Sequence, residues 1–142
     1  MKYAEIIVVI AALLPVAPLY AQTDCSPNSN GGYSCYDYKR GAYIDITPKV
    51  GGGYSTYDYG TGTYRDTTPK SEGGATTYDY GSGTYKDTTR RQNGGYTTYD
   101  YGTGTHQDAT PRSGGGYDTY DYGTGQHGTI RPSSNGGFTI ER

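Results

Sequence analysis

Tyrosine is the residue in this chain whose spacing most strongly suggests a binding role. The 142 residues include 19 tyrosines, and most of them recur at fixed intervals in segments such as YSTYDYGTGTY. A phenol ring can stack on a sugar ring or a base while its hydroxyl group forms hydrogen bonds. The sequence alone favours another role, in which the tyrosine face is buried against another sheet or another molecule, because a sheet with few aliphatic residues must bury some other apolar surface. The candidate stacking residues are Tyr57, Tyr59, Tyr64, Tyr78, Tyr80, Tyr85, Tyr99 and Tyr101.

Aspartate and histidine recur with the same period as tyrosine, but neither pattern is typical of a metal site. Asp58 and Asp66 return as equivalent pairs in the next two repeats. Calcium needs several converging oxygen ligands, and the spacing differs from that of calcium-binding β-rolls. We therefore expect these carboxylates to be solvated or paired across strands. His106 and His127 stand where other repeats have tyrosine, and two ligands do not fill a metal's coordination shell, so we interpret them as aromatic substitutes and predict no metal or other cofactor.

The sequence contains no catalytic pattern. It has no recognisable base held by a third group, no predicted free cysteine and no phosphate-binding loop between a strand and a helix. The Gly-Thr-Gly triplets are interpreted as turns. The net charge is -2 and the cations are scattered rather than clustered, which argues against a nucleic-acid partner. We predict a protein that is not an enzyme.

The elements that must position the tyrosines repeat every 21 residues. Gly-Gly pairs mark the period without insertion or deletion, and a fixed period of this size predicts one small structural unit repeated in tandem. These pairs are Gly31/Gly32, Gly52/Gly53, Gly73/Gly74, Gly94/Gly95, Gly115/Gly116 and Gly136/Gly137.

Each repeat is predicted to be a β-hairpin. Residues 54–59 and 63–68 are rich in Tyr and Thr and are bounded by Gly or Pro, which is typical of strands. Residues 60–62 form the first predicted turn and residues 69–74 the second. The expected fold class is therefore all-β, a meander of about ten short strands. The sheet is either solenoid-like and elongated, or closed or paired through its tyrosine face.

The cysteines predict the register between repeats. Cys25 and Cys35 are ten residues apart and flank Pro27, which occupies the repeat position of Pro48. The same offset relates mostly β-branched pairs, as expected for residues that face each other across antiparallel strands. We therefore predict a Cys25–Cys35 disulfide, with two free thiols as the alternative. The equivalent pairs are Ile46/Thr56, Thr67/Thr77, Thr88/Thr98, Ala109/Thr119 and Ile130/Ile140.

Within a repeat, a two-residue loop at positions 61–62 predicts a second register. Asp58 would then face Arg65 and Tyr59 would face Tyr64, so that opposite charges meet. Tyr57 would face Asp66, and Asp79 and Lys86 would form the same charge pair in the next repeat. This register places the three tyrosines at positions 57, 59 and 64 on one face of the sheet. The other face carries Tyr54, Thr56, Asp58, Thr63, Arg65 and Thr67.

The N-terminal 21 residues resemble a secretory signal peptide. An apolar run at 6–14 is followed by Pro15, Pro18 and a small residue, Ala21, before the predicted cut. The run is too short for a spanning helix of about 20 residues, so we expect no stable membrane insertion after cleavage; an uncleaved anchor is the alternative. The protein is predicted to be secreted to the periplasm, the cell surface or the medium.

The mature chain divides into residues 22–30, a half repeat or cap, residues 31–135, five full repeats, and residues 136–142, a second half repeat or cap. Ile44 and Ile46 near one end, with Phe138 and Ile140 at the other, are more apolar than the middle. This difference predicts capping strands or a subunit contact at the ends.

The predicted function is that of an exported, non-enzymatic structural or adhesion module of the cell surface or extracellular matrix. Self-association through tyrosine-rich faces or sheet edges is expected. The alternative is a glycan- or cell-wall-binding module that uses stacked tyrosines. Because the mature chain has no Leu, Met or Trp, a disordered polymer suited to oxidative cross-linking is a third possibility.

Overall fold

The computed structural model describes residues 22–142 as an all-β barrel. The predicted signal peptide, residues 1–21, lies outside the described residues. No helix within residues 22–142 has the length and apolar character needed to cross a membrane. The all-β class and the hairpin repeats are confirmed, and the sheet is closed.

The barrel consists of twelve antiparallel strands, each of which pairs with the next in sequence while the last pairs with the first. The strands are β1 (Gln22–Pro27), β2 (Tyr33–Asp37), β3 (Ala42–Pro48), β4 (Tyr54–Asp58), β5 (Thr63–Pro69), β6 (Gly74–Asp79), β7 (Thr84–Arg90), β8 (Tyr96–Asp100), β9 (Thr105–Pro111), β10 (Tyr117–Asp121), β11 (Gln126–Pro132) and β12 (Phe138–Glu141).

Side chains alternate between the interior and the outer surface, as the period of a strand requires. In β4 the side chains of Tyr54, Thr56 and Asp58 are buried, whereas Ser55 is only half-buried and Tyr57 is exposed. The predicted division of the repeat into two faces is therefore confirmed. The expectation that the tyrosine face is buried against another sheet of the chain is wrong, because that face forms the outside of the barrel.

The register between repeats matches the prediction at every pair. Cys25 faces Cys35, and the two form a disulfide with an S–S distance of 2.02 Å. The five equivalent pairs at the ten-residue offset also face each other. The ten-residue separation of the two cysteines therefore predicts the register of half of the strand pairs in the barrel.

The register within a repeat differs from the prediction by two residues. Tyr57, not Tyr59, faces Tyr64, and Asp58 faces Thr63. The loop has four residues because the Asp58 carboxylate accepts a hydrogen bond from the Gly60 N–H at 2.9 Å and holds a wider turn. A shift of two residues leaves every side chain on its own face, so the face assignment survives this error.

The second glycine of each Gly-Gly pair is required by a close approach between neighbouring strands. At Gly74 the φ angle is +86°, and an added Cβ would collide with the carbonyl oxygen of Thr88 on the next strand. Only glycine has both the backbone freedom and the small size that this position demands. The Gly-Gly pair therefore recurs every 21 residues because this contact between strands recurs once in each repeat.

The two half repeats at the chain ends pair with each other to complete a sixth unit. β12 pairs with β1, so that Phe138 faces Cys25 and Ile140 faces Thr23. The Thr139 hydroxyl donates to Asp24 at 2.8 Å, which reproduces the contact from Thr97 to Asp108 inside the chain. The barrel thus has six equivalent units, one of which is divided between the two ends.

The apolar residues near the ends lie inside this closure. Phe138, Ile44 and Ile46 are at most 1% exposed, and Ile140 is 3% exposed. They pack in one cluster with the disulfide. The apolar side chains near the two ends of the chain, predicted to mark capping strands or a subunit contact, are therefore part of the apolar core of the barrel.

Threonine pairs continue this core around the barrel. Thr67 is hydrogen-bonded to Thr77, and Thr88 is hydrogen-bonded to Thr98. In each pair the two hydroxyl oxygens lie 2.8 Å apart in the interior of the barrel. A buried hydroxyl is costly only when it lacks a partner. These pairs explain how a chain with so few aliphatic residues can have a folded interior.

Candidate functional site

The outer surface near the Asp-containing turns carries aromatic rings from five successive repeats, here called the aromatic belt. Most of its tyrosines are exposed, from 39% for Tyr57 to 62% for Tyr59. All eight candidate tyrosines predicted from the sequence lie in it. The belt comprises Tyr36, Tyr38, Tyr43, Tyr57, Tyr59, Tyr64, Tyr78, Tyr80, Tyr85, Tyr99, Tyr101, His106, Tyr120, Tyr122 and His127.

Two kinds of ring contact occur within the repeats, and the third repeat shows both. Tyr78 and Tyr80 are two residues apart on one face, and their rings meet edge to face at 4.8 Å. Tyr85 lies across the strand pair from Tyr78, with its ring centroid at 4.7 Å. Such edge-to-face and tilted pairs are favourable arrangements of the ring quadrupoles. The first, third and fifth repeats each present such a cluster of three rings.

A third contact joins neighbouring repeats. The ring of Tyr64 lies 5.5 Å from that of Tyr80 in the next repeat. The Tyr80 N–H also donates to the carbonyl oxygen of Tyr64 at 3.0 Å. This bond extends the β-ladder by one residue beyond Asp79 and positions a ring that would otherwise stand on a loop. The ring clusters of these adjacent repeats are therefore joined into one surface.

The two histidines act as aromatic members of the belt. The ring of His106 stacks on Tyr122 with centroids 4.1 Å apart, and that of His127 lies 4.6 Å from Tyr120. Their role as substitutes for tyrosine is confirmed. Across residues 22–142, no three His, Cys, Asp or Glu side chains are placed so that they could hold a metal ion together.

Outward-facing carboxylates border the belt and are paired with cations. Asp66 accepts a hydrogen bond from the Tyr64 hydroxyl at 3.0 Å and lies 3.2 Å from Lys49 Nζ. Asp87 lies at the same distance from Lys70. Burial raises the pKa of the Asp87 carboxyl, but hydrogen bonds from Thr76 and Lys70 outweigh it and hold the pKa below its usual value. The Asp87 carboxylate is therefore ionised and paired with Lys70, and the carboxylate of Asp66 has the same kind of partner in Lys49.

Several tyrosine hydroxyls of the belt lie beside carboxylates, which raises the pKa of two of these phenols. Partial desolvation, followed by the nearby charge of Asp66, raises the pKa of Tyr80 above its ordinary value. The charge of Asp24 is the leading cause of the raised pKa of Tyr38. Both phenols are therefore protonated at neutral pH. The Tyr80 hydroxyl donates to Asp66 at 3.5 Å and can accept further hydrogen bonds.

The belt is interrupted at the sixth unit, where the ends of the chain meet. Gln22 faces Glu141 there, at the position where Tyr57 faces Tyr64 in a full repeat. The aromatic surface is consequently an arc over five repeats rather than a closed ring.

The inward-facing aspartates have a structural role. Arg65 Nε lies 2.7 Å from Asp79, and Lys86 Nζ lies 3.2 Å from Asp100. Each cation pairs with the aspartate of the following repeat, so the predicted pairs within a repeat, Asp58 with Arg65 and Asp79 with Lys86, are wrong. The cause is the four-residue loop, which moves the two partners out of register.

The first repeat uses a different cation for the same purpose. Arg40 lies in the turn between β2 and β3 and bonds two buried carboxylates, Asp37 at 2.8 Å and Asp58 at 3.1 Å. The Asp58 side chain is 1% exposed, so it needs this partner. As predicted, Asp58 and Asp66 point to opposite faces, and the carboxylates are paired across strands.

No protein-family model, characterised protein or solved structure shows a significant match to this chain. Inference about function therefore rests on the geometry of the belt alone. The eight tyrosines predicted from the sequence do not include the belt members of the first and fifth repeats. The same 21-residue period would have found them, because Tyr36, Tyr38 and Tyr43 precede Tyr57, Tyr59 and Tyr64 by one repeat.

Proposed function

We propose that the protein is an exported, non-enzymatic adhesion module of the cell surface or extracellular matrix, and that it binds glycans through the aromatic belt. The observation that carries the proposal is the exposure of the belt on the outside of a closed barrel. Aromatic side chains on a soluble monomer are normally scattered singly, whereas a contiguous exposed patch indicates an interaction surface. The disulfide is compatible with an oxidising compartment outside the cytoplasm.

A glycan fits this surface for physical reasons. One side of a pyranose ring is lined with C–H groups, which can cover a tyrosine ring and remove apolar area from water. The sugar hydroxyls can then bond the phenol hydroxyls and the bordering carboxylates. The Tyr59 ring is 62% exposed, which leaves much of its apolar surface for such a contact.

Closure of the barrel weakens one of the two routes to self-association. Edge-to-edge assembly needs unpaired strand edges, and each of the twelve described strands has a partner on both sides. Assembly of two copies belt to belt is the second candidate function, favoured by the same exposed rings.

The decisive experiment uses the full-length protein in two measurements. Retention on immobilised neutral glucans, mannans and chitin tests glycan binding, and sedimentation velocity without glycan tests self-association. The variant Tyr59→Ala/Tyr80→Ala/Tyr101→Ala removes the most exposed ring of three adjacent repeats. Val50→Ala is the control, because this side chain is fully exposed and lies on the turn at the opposite end of the strands.

Saturable glycan binding that the triple variant loses and Val50→Ala keeps would support the proposal. No retention on any of the polymers, together with oligomers that the triple variant abolishes, would overturn it in favour of belt-to-belt assembly. Near-UV circular dichroism must show unchanged cooperative melting for the triple variant, since its rings lie on the surface.

A further inference from the structure

We infer that the belt binds one linear, uncharged polysaccharide chain along its whole length, with each line of three rings acting as one subsite. This inference rests on the proposed function and adds the class of ligand and the way it is held.

The register of the barrel creates the lines. Ile46 faces Thr56, and Thr56 faces Arg65 on the following strand. By the 21-residue period, Arg65 is equivalent to Ile44 and not to Ile46. The row of facing residues is therefore displaced by two positions along the strand in each repeat. Because of this displacement, Tyr80 on the loop continues the row begun by Tyr57 and Tyr64. The Tyr64 and Tyr80 centroids are 5.5 Å apart, and the Tyr57 and Tyr64 positions face each other.

Four such lines occur along the arc, one starting in each of the first four repeats. A line crosses three strands, so its backbone span is about 10 Å, close to the length of two sugar units in a linear polysaccharide. Edge-to-face contacts such as Tyr78–Tyr80 at 4.8 Å join each line to the next. The lines are Tyr36–Tyr43–Tyr59, Tyr57–Tyr64–Tyr80, Tyr78–Tyr85–Tyr101 and Tyr99–His106–Tyr122.

Charge along the arc favours an uncharged chain. The outward carboxylates Asp66, Asp87 and Asp108 are each paired with a lysine or arginine at 3.0–3.2 Å. A polyanion would meet these carboxylates and a polycation would meet their cationic partners, so either would have to break existing pairs. A neutral polymer leaves the pairs intact and uses their remaining hydrogen-bonding capacity.

Joined subsites make affinity depend on the length of the ligand. Once one line is occupied, the next sugars of the same chain are held at high effective concentration over the next line. Affinity should therefore rise with chain length and level off when four lines are filled, at about eight sugars for a two-sugar line of about 10 Å.

The test is calorimetric titration of the full-length protein with linear β-glucan, linear mannan and chitin-type oligosaccharides, each from disaccharide to decasaccharide, and with their parent polymers. We expect Kd to fall by roughly tenfold or more between disaccharide and octasaccharide, with little change beyond. Tyr80→Ala, which breaks the arc in its middle, should move the plateau to shorter oligosaccharides. Val50→Ala is the control, because its side chain is fully exposed and lies outside the belt, on a turn at the opposite end of the strands.

The outcomes separate the two claims. Binding of a parent polymer with equal affinity for its tetrasaccharide and octasaccharide would overturn this inference and leave the proposed function standing. An equal effect of Tyr80→Ala and Val50→Ala would also overturn it. No binding of any oligosaccharide or polymer would overturn the proposed function as well.

Discussion

The same substitution at two equivalent positions should have opposite effects on stability. Thr56 and Thr98 occupy the same place in repeats two periods apart, and both are buried, at 3% and 6% exposure. The Thr98 hydroxyl lies 2.8 Å from that of Thr88. Thr56 instead faces Ile46, and its hydroxyl is buried without a hydrogen-bond partner. Valine keeps the shape of threonine and replaces the hydroxyl with a methyl group. The substitution therefore measures what the buried hydroxyl alone contributes to the free energy of unfolding.

The expected magnitudes follow from the two environments. Thr98→Val leaves the hydroxyl of Thr88 unpaired inside the barrel, which costs about 1–3 kcal/mol. Thr56→Val removes a buried hydroxyl that is already unpaired, so it should stabilise the fold by about 1–2 kcal/mol. The double change Thr88→Val/Thr98→Val removes both partners and should return stability close to that of the unsubstituted protein.

The assay is urea unfolding of the full-length protein, followed by the near-UV circular dichroism of its tyrosines. Thr98→Val should lower the midpoint and Thr56→Val should raise it, with the slope of the transition unchanged. A double variant that loses as much as the sum of its two single variants would contradict the pairing, because the hydroxyls would then act independently. A loss of stability in Thr56→Val would likewise refute the reasoning about its unpaired hydroxyl.

Three further predictions concern the disulfide and the inward-facing charges. Reduction of Cys25–Cys35, which are ten residues apart, should lower the free energy of unfolding by about 3 kcal/mol, as measured by urea titration with and without reductant. Asp58→Ala should cost about 3 kcal/mol or more in thermal melting, because its side chain is 1% exposed, while Asp118→Ala, at 63% exposure, should cost little. Burial raises the pKa of Asp79, but hydrogen bonds from its arginine and turn amides hold the net pKa below the ordinary value. Its contribution to stability should therefore be lost as pH falls below about 4, a loss that Asp79→Asn should reduce in an acid titration of the melting temperature.

Each of these predictions has a result that contradicts it. Equal stability of oxidised and reduced protein would show that the disulfide does not restrict the unfolded chain. Equal losses of stability in Asp58→Ala and Asp118→Ala would mean that burial of the aspartate does not determine how much its ion pair contributes to stability. An unchanged acid profile in the asparagine variant would show that Asp79 does not contribute to the acid transition.

The register between repeats was predictable because several signals agreed on it. Cys25 and Cys35 indicated one pair, and proline recurred at the matching place in other repeats. The register within a repeat was not predictable, since a Gly-Thr-Gly triplet is compatible with a loop of two or four residues. The choice depends on the Asp58 carboxylate, which accepts hydrogen bonds from the turn amides. The pairing of Arg65 with Asp79 depends on that loop and was therefore missed as well.

The members of the aromatic belt were predictable from the sequence, but their exposure was not. Strand periodicity placed Tyr57 and Tyr64 on one face and Tyr54 on the other. Both faces are mixtures of tyrosine, threonine and charged residues, so hydrophobicity did not indicate which was buried. The small number of aliphatic residues then led to the expectation that the tyrosine-rich face is buried against another sheet or another molecule, and burial against another sheet is wrong because that face is the outside of the barrel.

The sequence by itself determined the repeat, the strands, the disulfide and the division of each strand into two faces, because these depend on local chemistry and on a strict period. The tertiary structure decided that the sheet closes and which face it encloses. Closure brings Phe138 and Ile140 beside β1, a contact between residues more than a hundred positions apart that no local pattern encodes. Once that seam is formed, its apolar side chains can be buried only on the inside of the barrel, and the tyrosines on the opposite face are left on the outside.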